Sequence, residues 1–196
     1  MILNFLSKKY KSSLNYLKQS KKFLWFSLAI FFLSLIIGIL FPIFFKNQIF
    51  SFISSLKDQI AGLNPIELIF FIFYNNLKAS FFVLILGIFF AIFPLIMTLI
   101  NGYVIGFVLN YSIALGGLVV IWRIFPHGIF EIPAILISSG LGIKIGYDLI
   151  SNLTKKQKKK SLKNNFIKSI EVFIFIVIPL LIIAAVIEGI LIFLIK

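Results

Sequence analysis

One histidine and two glutamates are the residues of this chain whose types and spacing could do chemistry. In the stretch FPHGIFEIPA, residues 125–134, His127 precedes Glu131 by four positions, and Glu188 stands in a second apolar run near the C-terminus. At helical spacing His127 and Glu131 share a face, with Glu131 about 6 Å further along the axis. An imidazole and two carboxyls can exchange hydrogen bonds or a proton. Taken together, His127, Glu131 and Glu188 are also a conceivable three-ligand set for a divalent metal. Against catalysis stands the rest of the pattern. There is no H-E-x-x-H, no second histidine and no pair of aspartates, and Thr98, Ser138 and Ser139 lie in apolar stretches without a sequence-evident base. The expectation is therefore a binding or structural cluster, with no metal, no cofactor and no catalytic residue.

The elements that must position these groups are membrane helices. The composition is 61% hydrophobic and the mean hydropathy +1.11, far above an ordinary soluble domain. At 196 residues the chain has room for four to six spans and for no sizeable soluble domain. The net charge of +13 lies mostly in two lysine blocks that flank apolar runs, which reads as membrane orientation rather than nucleic-acid binding. With no cysteine there is neither a disulfide nor a thiolate metal site.

Helical periodicity predicts an amphipathic segment over residues 1–22, carried by Leu3, Leu6, Tyr10, Leu14 and Leu17. Five spans are predicted over 23–45, 80–100, 103–122, 129–150 and 170–195. A surface segment over 46–78 includes a second amphipathic helix that closes at Asn64-Pro65, and a basic loop covers 151–169. The first apolar run is too long for a signal-peptide core and is read as an uncleaved span. The whole of 1–196 is thus one all-α integral membrane domain, a polytopic bundle with kinked helices and amphipathic surface helices. Six lysines precede the first span and seven lie between the fourth and fifth, against four lysines and Arg123 on the other side. The positive-inside rule then puts the N-terminus in the cytoplasm and the C-terminus outside, in a multi-pass protein of the cell membrane.

In this topology His127, Glu131 and Glu188 come to similar depth beneath the outer face. Ionised groups are costly in hydrocarbon, so the glutamates are expected to turn toward each other. Arg123 and Asn75 or Asn76 at the outer edge could complete the cluster, and Asn101 could join through a broken helix. Structural glue between helices is the competing reading of the same residues. Gly102-x-x-x-Gly106 and Gly142-x-x-x-Gly146 are expected at close helix crossings, and a homodimer through such a face stays open. Pro94 and Pro179 each remove a main-chain hydrogen bond and mark expected helix breaks. The partners expected are the lipid bilayer and a membrane or envelope protein. Scaffold, small transporter or ion-conducting protein, and metal-dependent intramembrane enzyme are the functions weighed, in that order.

The succession Asn75-Asn76, Gly87, Pro94, Asn101-Gly102-x-x-x-Gly106, Pro126-His127-Gly128-x-x-Glu131-x-Pro133-Ala134, then Pro179-Leu180-Leu181 and Ala184-Ala185-x-x-Glu188, resembles the stage II sporulation protein M family. The most specific element is PHGxxExxA. The resemblance implies a polytopic membrane protein that is not itself a hydrolase. In spore-forming bacteria the family's namesake scaffolds sporulation proteins D and P, which cut peptidoglycan during engulfment. His127, Glu131 and Glu188 match the family's polar positions, and the resemblance assigns them no catalytic role.

Overall fold

The computed structural model describes residues 2–117, 121–154 and 162–195, without the side chains of 2, 3, 121–127, 193 and 195. Among the described residues there are eight α-helices and no strand: α1 (Ile2–Gln19), α2 (Lys21–Leu40), α3 (Lys46–Ile60), α4 (Pro65–Ile85), α5 (Ile92–Gly116), α6 (Ile121–Thr154), α7 (Leu162–Val172) and α8 (Ile178–Ile195). A 3-10 turn, Leu86–Ile88, extends α4, and a π turn, Phe173–Val177, joins α7 to α8. Five segments are long and apolar enough to cross a membrane: Lys21–Leu40, Pro65–Ile88, Ile92–Gly116, Gly128–Thr154 and Leu162–Ile192. The bundle is all-α with five such segments, as composition and periodicity predict.

The boundaries of the second and third spans differ from the sequence expectation. Asn64-Pro65, read as the close of a surface helix, opens α4 instead. Asn64 Oδ1 accepts from the main-chain N–H groups of Ile66 and Glu67, both at 3.0 Å, and Glu67 reaches back to the Asn64 N–H at 2.9 Å. This capping box satisfies the free donors of the first turn, with Pro65 where a missing N–H costs nothing. The helix then runs straight through Asn75, Asn76 and Lys78. A helix satisfies its own main chain, so a few polar side chains on its surface do not end it. The surface segment therefore stops near residue 64 rather than 78 and keeps only α3, whose Phe50 packs on Phe107 and Tyr111 of α5.

The return between the second and third spans lies at 86–91 and not at Asn101-Gly102, which sits inside α5. After the 3-10 turn, Phe90 and Ala91 take left-handed backbone angles, φ 54° and 65°. Such angles cost a non-glycine residue roughly 1–2 kcal/mol and persist where packing holds them. Here α6 does so, because Gly87 and Ala91 lie against Gly142 and Gly146 so closely that a Cβ on either α6 glycine would strike main chain. Pro94 is thus the third residue of α5, where its absent N–H leaves no helical bond unmade, and the break precedes it. Its carbonyl accepts from Thr98 Oγ1 at 2.7 Å and from Ser139 Oγ at 3.3 Å. Pro179 does disturb its helix, as the π turn falls immediately before it; widening to π geometry relieves a proline's clash with the preceding turn.

The other glycine pair packs inside the chain as well. Gly102 and Gly106 face α2, where a Cβ on Gly106 would run into the carbonyl of Leu35, and Gly38 answers from α2 against Tyr103. Around this crossing, Asn110 Nδ2 donates to the Ile39 carbonyl at 2.9 Å. The Tyr103 hydroxyl bonds the carbonyls of Phe41 and Phe44, both at 2.9 Å, where α2 ends before Pro42. Both glycine pairs are therefore spent on contacts within one copy. The main buried cluster lies between α1, α4, α6 and the α7–α8 rod, with Tyr16, Leu84, Leu141, Phe173 and Leu181 among its members.

Candidate functional site

Two polar groupings occupy opposite ends of the bundle. The first contains the sequence-predicted glutamates. Glu131 stands on α6 three residues before Ala134, and Glu188 on α8 four residues after Ala184; both alanines are fully buried. Helical spacing puts each glutamate on the same face as its alanine, so the two acidic side chains sit on the surfaces that α6 and α8 turn into the bundle. Small side chains here let the helices approach. Next to Glu188 on α8, Gly189 lies directly against Ile69 of α4.

Both carboxyls are half-buried. Among the described residues no lysine forms an ion pair with either. Two such groups can share a proton, accept hydrogen bonds from an incoming donor, or hold a cationic group between them. They are fewer than the three protein ligands of a catalytic zinc, and among the described residues no trio of His, Cys, Asp and Glu is grouped to hold a metal.

The remaining expected members fare differently. Arg123 and His127 belong to the first turns of α6, and their side chains lie outside the described residues. Asn75 is exposed and Asn76 half-buried in the middle of α4 rather than at its edge, because α4 starts at Pro65, ten residues before Asn75. Asn101 lies within α5 beside Gly102, at the crossing with α2, and no described hydrogen bond joins it or Asn76 to either glutamate. Of the basic loop, residues 155–161 lie outside the described residues, as does Lys196.

The second grouping escaped the sequence reading. Lys144 and Asp148, one turn apart on α6, are 8% and 1% exposed. The Lys144 ammonium donates to Ser20 Oγ at 2.9 Å and stands 3.7 Å from the centroid of the Tyr16 ring, a desolvated cation–π contact. Asp148 Oδ2 accepts from Asn165 Nδ2 at 2.7 Å, and the Tyr16 hydroxyl donates to the Asn165 carbonyl at 3.0 Å. On the far side, Glu171 accepts from Lys9 at 2.5 Å and Lys168 at 2.9 Å, and Lys168 also donates to Ser12 at 2.8 Å. These contacts pair α1 antiparallel with α7 and fasten both to α6 where α1 turns into α2 at Ser20. Burial pushes the Tyr16 hydroxyl up to about 12; the Ser169 hydrogen bond opposes the rise and the charge of Asp148 adds to it. The available signal was GIKIGYDLI itself, a lysine and an aspartate at i and i+4 inside an apolar span.

Comparison with known proteins sets this geometry in a lineage. Two uncharacterized proteins of Methanocaldococcus jannaschii are similar to the chain. One is 41% identical over 117 residues, covering 58% of this chain and 65% of its own length. The other is 27% identical over 184 residues, covering 87% and 81%. The chain thus spans just under two thirds of the first relative. No solved structure matches. The family model for stage II sporulation protein M matches residues 27–191, which takes in three of the membrane-length segments whole, most of the first and last, and both Glu131 and Glu188. The chain is a multi-pass membrane protein that belongs to the stage II sporulation protein M family.

Proposed function

We propose that this protein is a non-enzymatic scaffold or binding component of a membrane complex, and that Glu131 and Glu188 form its recognition site. The observation that supports the reading is that Glu131 on α6 and Glu188 on α8 are both half-buried in apolar helices without a lysine ion pair among the described residues. A partner's transmembrane segment bearing a cationic or hydrogen-bond-donating side chain would satisfy both at once. Further support comes from the bundle's construction. Glycine crossings bring α2 onto α5 and α6 onto the 86–91 turn at main-chain contact, which makes a rigid frame from which to present a site. The lysine distribution supports an orientation with α1 in the cytoplasm and the glutamates near the outer face.

A second reading, a small transporter, draws on the same carboxyls together with the irregular backbone at 86–91 and the π turn at 173–177. Affinity capture from native membranes, paired with flux assays on the purified chain in liposomes, separates the two. A scaffold brings down a stoichiometric membrane partner. Glu131→Gln leaves that association measurable, and Glu131→Gln combined with Glu188→Gln weakens it about tenfold, the worth of one or two intramembrane hydrogen bonds. Recovery of the chain alone, with a pH-dependent flux that Glu188→Gln abolishes, sinks the scaffold.

A further inference from the structure

Between α1 and α7 lies an open cleft of about 440 Å³, within the roughly 300–1,000 Å³ typical of small-molecule sites. Lys8, Lys11, Asn15 and Gln19 line it from α1, and Asn165 and Lys168 from α7. No acidic residue lines it. The α1 members recur at three- and four-residue spacing, so they form one stripe on the helix. The apolar residues Leu6, Tyr10 and Leu14 occupy nearly the opposite face and are exposed.

The charge around this cleft is unbalanced in a specific way. Glu171, the nearby carboxylate, is taken by Lys9 and Lys168, and Asp148 is buried against Asn165. Lys8 and Lys11 have no ion pair among the described residues, and both are exposed. Two ammonium groups one helical turn apart, with carboxamide donors along the same stripe, suit a ligand that carries nearly two negative charges and several acceptor oxygens. A phosphate monoester has about −1.5 to −2 charges at neutral pH and three such oxygens. A carboxylate offers half the charge and only two oxygens.

We propose that the α1–α7 cleft binds a phosphate-bearing anion through Lys8 and Lys11, with Asn15 and Gln19 as hydrogen-bond donors. The α1 wall lies outside residues 27–191 that match the family model. The network of Tyr16, Lys168 and Glu171 holds the two walls together whether or not the ligand is present.

The phosphate could arrive on a lipid headgroup or from water, and two arms of one experiment distinguish them. The full chain is reconstituted in phosphatidylcholine nanodiscs and titrated with glycerol 3-phosphate by calorimetry. In parallel, nanodiscs containing phosphatidic acid are analysed by native mass spectrometry for retained lipid. The expected result is saturable binding of one phosphate per chain in at least one arm, weakened about tenfold by Lys8→Gln with Lys11→Gln, as for loss of two charge-assisted contacts. Lys21→Gln with Lys22→Gln, which removes equal charge from the start of α2, leaves binding unchanged. Binding of the soluble phosphate assigns a water-borne source, and retention confined to the lipid arm assigns a headgroup. Absence of saturable binding in both arms overturns the proposal, and so does an equal loss with the control pair, since diffuse attraction then accounts for everything.

Discussion

The two polar groupings answer the problem of buried charge in opposite ways. At the α1–α7 end, Lys144 meets Ser20 and the face of Tyr16, Asp148 meets Asn165, and Glu171 meets two lysines. Opposite charges and donors alternate there, and α1, α6 and α7 are bound to one another as a result. At the other end Glu131 on α6 and Glu188 on α8 are half-buried in apolar helices, and among the described residues no lysine forms an ion pair with either. The first arrangement is complete in itself and fastens the bundle. The second is satisfied only by something added, whether a proton, a cation or a partner's donor. Intramembrane ionisable residues are therefore not one class: what surrounds them separates fastening from recognition.

The sharpest way to break that contrast is Lys144→Met. Removing one member of a buried charged network takes the cation from the Ser20 hydroxyl and the Tyr16 ring, so a loss of about 3–5 kcal/mol is expected. Unfolding of the purified protein in mixed detergent reads it, and Lys144→Arg, which keeps the charge, should recover part. A change below about 1 kcal/mol for Lys144→Met would mean that the network fastens nothing. Tyr16 supplies a smaller test. Its hydroxyl is neutral when protonated, and burial lifts its folded-state value from 10.0 to about 12. The unfolded chain loses this proton first, so the contribution is full below pH 10 and fades as pH rises toward 12; its size is on the order of 2 kcal/mol. Tyr16→Phe should lose about 1 kcal/mol at neutral pH with its hydrogen bonds and lose less than the wild type between pH 10 and 12. Parallel pH curves for the two proteins would show that Tyr16 is not buried as described.

How far this contrast could be read without coordinates depends on which interactions are local. The number of membrane-length segments was legible because apolar length acts over one segment at a time. The glycine pairs announced close crossings, but not that Gly102 and Gly106 meet α2 or that Gly142 and Gly146 meet the 86–91 turn, since a spacing motif names one side of a contact only. That turn was hidden because Phe90 and Ala91 adopt left-handed angles without the glycine that usually marks them. Asn75, Asn76 and Lys78 looked like an interface because hydropathy counts side chains, whereas the helix continues on main-chain bonds. Lys144 and Asp148 were averaged away within an apolar span, and their partners Tyr16, Ser20 and Asn165 come from helices distant in sequence or beyond the spans. That Glu131 and Glu188 are turned partly inward was legible, because a carboxyl in an otherwise apolar helix is costly against lipid.

The smallest expected effect lies at that pair and has the opposite sign from Lys144→Met. Glu131→Gln keeps the size and hydrogen-bonding capacity of the side chain while removing one of two like charges. Stability should stay within about 1 kcal/mol of the wild type, unchanged or raised, because a neighbour that repels is lost rather than one that attracts. Glu188→Gln should do the same, and the double variant should gain no more than either alone, since the first substitution already relieves the repulsion. That non-additivity is the signature of coupled groups, and a double-mutant cycle on unfolding free energy reads it directly. A loss above about 2 kcal/mol for either single variant would mean that the glutamate is held by a counter-charge. The end with Glu131 and Glu188 would then fasten the bundle just as the end with Lys144 and Asp148 does, and the recognition site would have to be sought elsewhere.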